Sequence, residues 1–335
     1  MTAISTILKT LISAILAISS IILPSVTEPA TQPNEPLNAK KCQLYFSAIA
    51  DFHMRAEDND EFLYSTTVAN LILSDYDKAT VKPDALILAG DITDHGEEAE
   101  WKQVQAHFEN YKVADRLLFA IGNHDTWTRD TGDKTFQQLF SEYSKAITGV
   151  KTSKVYYSTK VNGYYFIFLG SEQDMTAAYF SNAQIKWLES EMKKAAKTKL
   201  PIFVVSHWPI NKTHGLPVSW GDEEYTDLTG GIGEQSDKVK NILNKYKNVF
   251  YITGHIHNGF SSAKTAEKNG YQSVEKLGNI TLVNLPSVSF GTKNGYMLPG
   301  TGYNVEVYKT KVIFRARSYA TGTWLPDFDY RISLK

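Results

Sequence analysis

Short apolar runs alternate with longer amphipathic segments along the chain from residue 43 onward, a pattern that predicts an α/β fold with buried strands. Residues 44–50, 85–89, 117–121, 164–169, 202–205 and 249–252 read as strands, and residues 57–77, 97–111, 133–146, 182–196 and 236–246 read as helices between them. In the first helix Phe62, Val68, Leu71 and Ile72 fall on roughly one face, as do Ile185, Leu188 and Met192 in the fourth. The character changes toward the C-terminus. Residues 280–285, 303–308 and 312–319 follow one another with turn residues and no helical period, which reads as a strand meander.

The polar residues stand where the strands stop. Ile49-Ala50 leads into Asp51-Phe52-His53, Ala89-Gly90 into Asp91, Ile121-Gly122 into Asn123-His124-Asp125, Val205-Ser206 into His207, and Thr253-Gly254 into His255-Ile256-His257. Open α/β sheets bind ligands in the crevice beyond the carboxyl ends of their strands, so five such ends predict one site. Imidazole and carboxylate together suit borderline divalent metals, and a carboxylate can bridge two ions, so the residue types point to a dinuclear centre. Any one of these residues alone is more often a helix cap or a satisfied loop residue. The joint pattern is what carries weight, because of the 8 histidines only His95, His107 and His214 lie outside it. Glycine before Asp91, Asn123 and His255 is expected where the backbone turns sharply off a strand.

Composition narrows the class. A hydrophobic fraction of 42% and a charged fraction of 21% over 335 residues describe a folded chain, and Lys+Arg 35 against Asp+Glu 36 leaves a net charge of -1. No global field draws the protein onto nucleic acid or lipid, which excludes a DNA-packaging role. The single cysteine, Cys42, forms no intramolecular disulfide and no thiolate metal site. Residues 1–30 read as an export signal: the stretch from Leu11 to Leu23 is apolar and uncharged, yet shorter than the roughly 20 residues of a membrane span. Ser25-Val26-Thr27 fits a cleavage site imperfectly, which keeps an uncleaved anchor as the alternative. Both readings place the rest outside the cytoplasm, with residues 31–42 as a linker and 43–335 as the domain.

The ordered set Asp51-x-His53, Gly90-Asp91, Gly122-Asn123-His124-Asp125, His207 and Gly254-His255-x-His257 resembles the full signature of the calcineurin-like metallophosphoesterase superfamily, nearest in spacing to class III cyclic-nucleotide phosphodiesterases. The resemblance implies a four-layer α-β-β-α sandwich of two mixed sheets flanked by helices, with the C-terminal meander in the second sheet and the metal site at the strand C-terminal ends. It implies that Asp51, His53 and His257 bind one metal, that Asn123, His207 and His255 bind the other, and that Asp91 bridges them. Two ions drawn from Mn, Fe, Zn or Co would serve. His124 would face substrate as the catalytic histidine, with Asp125 orienting it. The implied activity is hydrolysis of a small phosphodiester or phosphomonoester.

Around this set, Asp94 reads as either a neighbour supporting the site or a helix cap, and His95 and Trp127 read as residues at its rim. The segment from Trp208 to Gln235 is long for a loop and is expected to wall the substrate pocket through Trp208, His214, Trp220 and Tyr225, the bland alternative being aromatics that pack the loop onto its own domain. Protein phosphatases of the superfamily carry Asp-Arg-Gly where this chain has Asp94-His95-Gly96. A nuclease is the alternative within the enzyme class, disfavoured by the neutral charge, since gripping a duplex needs a basic face. A catalytically silent metal-binding surface module is the alternative outside it, and the loss of a ligand that would mark one is not seen.

Overall fold

The computed structural model describes residues 32–56, 60–127, 134–173, 177–215, 231–261, 270–289, 295–296 and 298–335, so the expected leader over residues 1–30 lies outside the described residues, as do Trp220 and Tyr225. Strand β1 (Leu44–Ile49) is buried along its whole length, as a strand covered on both faces must be. Strands β2 (Ala85–Ala89) and β3 (Leu117–Ala120) join it in parallel. Parallel neighbours need crossovers, and helices α1 (Asp60–Lys78) and α2 (Glu98–Glu109) provide them. Helix α3 (Phe136–Thr148) follows, started by Thr135, whose side chain accepts from the Gln138 amide, and closed by Gly149 in the left-handed conformation.

The chain then builds a second sheet. The hairpin β4 (Tyr157–Val161) and β5 (Tyr164–Phe168) is followed by α4 (Asn182–Ala196), β6 (Ile202–Val205), α5 (Ser236–Leu243) and β7 (Val249–Thr253), with β5, β6 and β7 parallel. A further hairpin, β8 (Val274–Leu277) and β9 (Ile280–Asn284), sets β9 parallel to β7. Strands β10 (Thr301–Tyr308), β11 (Lys311–Ser318), β12 (Thr323–Trp324) and β13 (Tyr330–Ser333) return to the first sheet. The orders are β12-β11-β10-β1-β2-β3, with β13 also on β11, and β4-β5-β6-β7-β9-β8.

The two sheets meet through aromatic side chains. Phe46 of β1 lies 5.1 Å from Phe166 and 4.9 Å from Phe203, and Phe250 of β7 lies 5.7 Å from Phe314 of β11, all ring to ring. Helices cover the outer faces, for example α1 through Tyr76 on Tyr319 at 4.6 Å. The result is the expected four-layer α-β-β-α sandwich.

The structure corrects the sequence reading in three places. The meander is divided: β9 stays beside β7, whereas β10 and β11 occupy the edge of β1 in the first sheet. Succession along the chain did not decide this, because β10 completes the open hydrogen-bonding edge of β1. Strands β4, β8, β12 and β13 carry no apolar run because they lie at sheet edges and are partly exposed. The segment 33–42, expected as part of a linker, belongs to the compact unit Pro33–Lys335. Its reason is polar: the sheet carries the buried side chains Ser47, Asn304, Glu306 and Arg315, and these need partners. Asn34 accepts from the Tyr45 hydroxyl at 2.8 Å, the Leu37 amide donates to Glu306 at 3.0 Å, and Arg315 donates to the Glu35 carbonyl at 2.9 Å.

Phe203 sits at the centre of the inter-sheet contact, also stacked on Phe166 at 5.1 Å and Phe250 at 5.4 Å. Phe203→Ala is expected to cost about 3–5 kcal/mol through lost burial and the cavity left behind, measured by urea unfolding.

Candidate metal centre

Where β1, β2 and β7 end, the backbone enters the left-handed region at residues that are not glycine: Asp51 (φ 58°), His53 (φ 46°), Asp91 (φ 49°), His255 (φ 75°) and His257 (φ 54°). Each such residue costs on the order of 1 kcal/mol, and strain of this kind persists only where its surroundings impose it. Here the loops are tied to one another. The Asp51 amide donates to the Gly90 carbonyl at 3.1 Å, the His53 amide to the Asp91 carbonyl at 2.9 Å, and the His255 amide to Asp51 Oδ1 at 3.1 Å. Gly90 itself needs its positive φ of 89° to turn off β2. Gly122 is required for another reason than the expected turn: a Cβ there would overlap the Asp91 carboxylate and backbone nitrogen.

The ligating atoms form two groups that share one carboxylate. Asp51, His53, Asp91 and His257 bring ligand atoms within 4.8 Å of one another, and so do Asp91, His207 and His255. His257 Nε2 lies 3.0 Å from Asp51 Oδ1, His53 Nε2 lies 3.2 Å from His257 Nε2, and His207 Nε2 lies 3.1 Å from Asp91 Oδ2. The outer ring nitrogens are held elsewhere, His53 Nδ1 by Asp94 Oδ1 at 2.8 Å and His207 Nδ1 by the Ala89 carbonyl at 2.9 Å. That aims the two Nε2 lone pairs inward, the arrangement of metal-ligating histidines. Asp51 Oδ2 and Asn123 Oδ1 are buried with no hydrogen-bond donor, which fits cation coordination. Mixed imidazole, carboxylate and amide oxygen donors match two borderline or hard divalent ions. Six of the seven residues expected as ligands therefore stand together, and Asn123 directly precedes His124, whose amide donates to Asp91 Oδ1 at 2.9 Å.

Electrostatics agree with a site made for positive charge. Burial alone would raise Asp91, but His207 and His124 outweigh it and hold the carboxyl well below its usual range. Asp51 is likewise lowered, its burial overcome by His257 and His207. Burial, with His207 beside it, pushes His255 down to about 3, which keeps it neutral and able to ligate.

His124 stands at the edge of the ligands. Its Nδ1 donates to the Asp94 carbonyl at 2.7 Å, its ring lies 4.5 Å from that of His53, and Trp127 covers it at 3.8 Å and 33°. Its side chain is 17% exposed, so Nε2 can reach a bound molecule. Burial opposes charge on this ring, but Asp91 and Asp94 prevail and raise it to about 9. The expected role of Asp125 is corrected. Its carboxylate is spent on four other donors, the amides of Ile92, Thr93 and Gly122 and the Thr93 hydroxyl, at 2.7–3.0 Å. It pins the loop after β3 to the loop after β2 and positions His124 only through the backbone.

Asp94 takes the orienting part. It touches His53 and His124 and receives Arg55 Nη2 on Oδ2 at 2.7 Å. The cap of α2 is Glu97, so the helix-cap reading of Asp94 falls. Arg55, bridging Asp94 and Glu61, escaped the sequence reading because a lone arginine two residues past a motif carries no signal of its own. His95 lies against Asp94 at 3.4 Å and Glu100 at 3.2 Å, at the rim. Trp208 and His214 do not wall a pocket. Trp208 is 0% exposed and packs at 5.4 Å behind His207, since an indole there shields the ligand from water. His214 is 1% exposed and joins the Gln272 carbonyl at 2.6 Å, clamping its loop to the segment leading into β8.

Comparison with known proteins agrees with this geometry. The sequence model described as Calcineurin-like phosphoesterase matches residues 45–259. A probable glycerophosphodiester phosphodiesterase, GpdQ, from Arcobacter nitrofigilis is 26% identical over 181 residues, 52% of this chain. The match spans 57% of that relative's own length. The crystal structure of a dimetal phosphatase from Danio rerio superposes with a TM-score of 0.59 at 12% identity, covering 88% of this chain and 100% of the other, and shares its fold.

Asp91→Asn is expected to lose both metals, because the shared ligand loses its charge; elemental analysis after gel filtration reads this directly. A second expectation concerns His214, which burial lowers from 6.5 to about 4 despite its bond to Gln272. Above pH 6.5 neither folded nor unfolded chain binds this proton. Between pH 6.5 and 4 only the unfolded chain does, so stability falls with acidification by up to about 3 kcal/mol. His214→Asn, which tolerates the left-handed backbone, should flatten unfolding free energy against pH in that window.

Proposed function

The chain belongs to the calcineurin-like phosphoesterase family, and from that premise we propose that it is an exported dinuclear phosphodiesterase acting on a small diester. The observation that carries the reading is Asp91, shared between two groups of ligand atoms at the seam of the sheets. Asp51, His53, Asp91 and His257 would hold one ion, and Asp91, Asn123, His207 and His255 the other. When bound, two such ions polarise a phosphoryl oxygen and lower the pKa of water so that it attacks at neutral pH.

The chain's own residues complete the reaction. Trp208 excludes water from the ligand side. His124 gives the proton on Nε2 to the leaving oxygen as the phosphorus–oxygen bond breaks, while its Nδ1 stays bonded to the Asp94 carbonyl. Asp94 keeps both His53 and His124 in place, and Arg55 keeps Asp94 in place.

Preference for a diester is supported by the relative described as a glycerophosphodiester phosphodiesterase. A nuclease is the weaker reading, because the net charge of -1 supplies no general attraction for a polyanionic duplex. Export is supported by the leader-like composition of residues 1–30.

The deciding assay is hydrolysis by metal-reconstituted protein of bis-p-nitrophenyl phosphate against p-nitrophenyl phosphate, under Mn, Fe, Zn, Co and chelator. Chelator-sensitive turnover with the diester preferred is expected; monoester preference would overturn the diesterase reading. His124→Ala should retain both metals and lose about 10²–10⁴ in kcat on an ester with an alkyl leaving group, with a smaller loss on p-nitrophenyl esters, whose leaving group needs little protonation.

A further inference from the structure

A second concave surface lies at the opposite end of β1 from the ligands. The metal residues follow Ile49, whereas this cleft opens beside residues 38–43, ahead of Leu44, and β1 spans about 20 Å between them. It holds about 700 Å³, between the turn 38–42 and the tip of the β10–β11 hairpin, with β13 alongside. Lys40, Lys41, Lys309, Lys311 and Arg331 line it, and no aspartate or glutamate does. In a chain whose Lys+Arg 35 and Asp+Glu 36 nearly cancel, this is a local excess of one sign.

The nearby acids are already engaged. Glu306, buried beneath, accepts from Arg315 at 2.9 Å, from the Leu37 amide at 3.0 Å and from the Tyr308 hydroxyl. Asp329 accepts from the Ala316 amide at 3.0 Å. Among the described residues no ion pair involves the five cations, although the Lys311 ammonium lies 5.6 Å above the Tyr308 ring. The backbone that carries them is fixed, since the Lys41 and Cys42 amides donate to the Asn38 carbonyl at 3.1 and 3.0 Å and the Gln43 amide to Val307 at 2.8 Å. Like charges gathered on a fixed frame repel, and an anion of matching valence relieves that repulsion.

We propose that this cleft binds a ligand bearing several phosphate groups, at a site separate from the hydrolytic centre. A single carboxylate would neutralise one cation of five. Clustered phosphates supply several charges and many acceptor oxygens for ammonium and guanidinium donors. The same chemistry is presented by a free oligophosphate and by the headgroups of an anionic bilayer.

The test titrates the full chain with inorganic tripolyphosphate by calorimetry, and separately with vesicles of phosphatidylcholine with and without phosphatidylglycerol by co-sedimentation, at 50 and 150 mM salt. Asp91→Asn protein, expected to lack metals, removes binding at the hydrolytic centre from the signal. Saturable binding that survives in Asp91→Asn, weakens with salt, and falls about tenfold or more in Lys40→Gln/Lys41→Gln/Lys309→Gln supports the site. Tripolyphosphate binding assigns the free anion as the source, and binding only to phosphatidylglycerol vesicles assigns the headgroup. The triple variant should hydrolyse bis-p-nitrophenyl phosphate with kcat/KM unchanged, which shows that it is folded. Absence of binding to both probes, or equal binding by the triple variant, overturns the proposal.

Discussion

Asp51 and Asp91 are 0% and 1% exposed and stand in one cluster with four histidines, so their negative charge must be answered inside the protein. Isolated buried carboxylates cost several kcal/mol each, and a histidine that gives its lone pair to a metal cannot also carry the proton that would answer their charge. A pair of cations resolves that conflict. Much else follows from keeping the place for them: five ligand residues with strained backbones, a glycine whose missing Cβ leaves room for Asp91, and loops bonded to one another rather than to solvent.

The sandwich supplies the stiffness that this requires. Strand ends from both sheets contribute ligands, so any sliding of one sheet over the other would separate Asp51 and Asp91 from His207, His255 and His257. The aromatic layer of Phe46, Phe166, Phe203, Phe250 and Phe314 resists sliding because its rings interlock edge to face and face to face. Around the site two carboxylates divide the remaining work. Asp125 binds backbone to backbone, and Asp94 binds ring to ring.

The two ends of β1 differ in charge management. At its C-terminal end, the buried carboxylates of Asp51 and Asp91 converge in the interior. At its N-terminal end, positive groups converge on an open surface. A net charge of -1 hides this separation, because summed charge carries no information about position.

The sequence alone determined the class of fold and marked seven candidate ligands and His124, since these reside in features that are local: an apolar run, then a residue able to bind a metal at its end. Burial of a strand on both faces writes itself into consecutive positions, and ligands at strand ends need no knowledge of which strands are neighbours. What required the tertiary structure was partnership between distant segments. Asp125 precedes no visible choice in sequence between His124 and the loop after β2, and only the folded loops bring four donors to it. Trp208 and His214 look like pocket residues because aromatic and imidazole groups serve a core and a binding site equally well, and their burial behind His207 and beside β8 decides between them. The edge of β1 accepts β10 rather than a nearer strand, and residues 33–42 fold onto polar side chains of the sheet, because hydrogen-bonding partners are chosen by proximity in space.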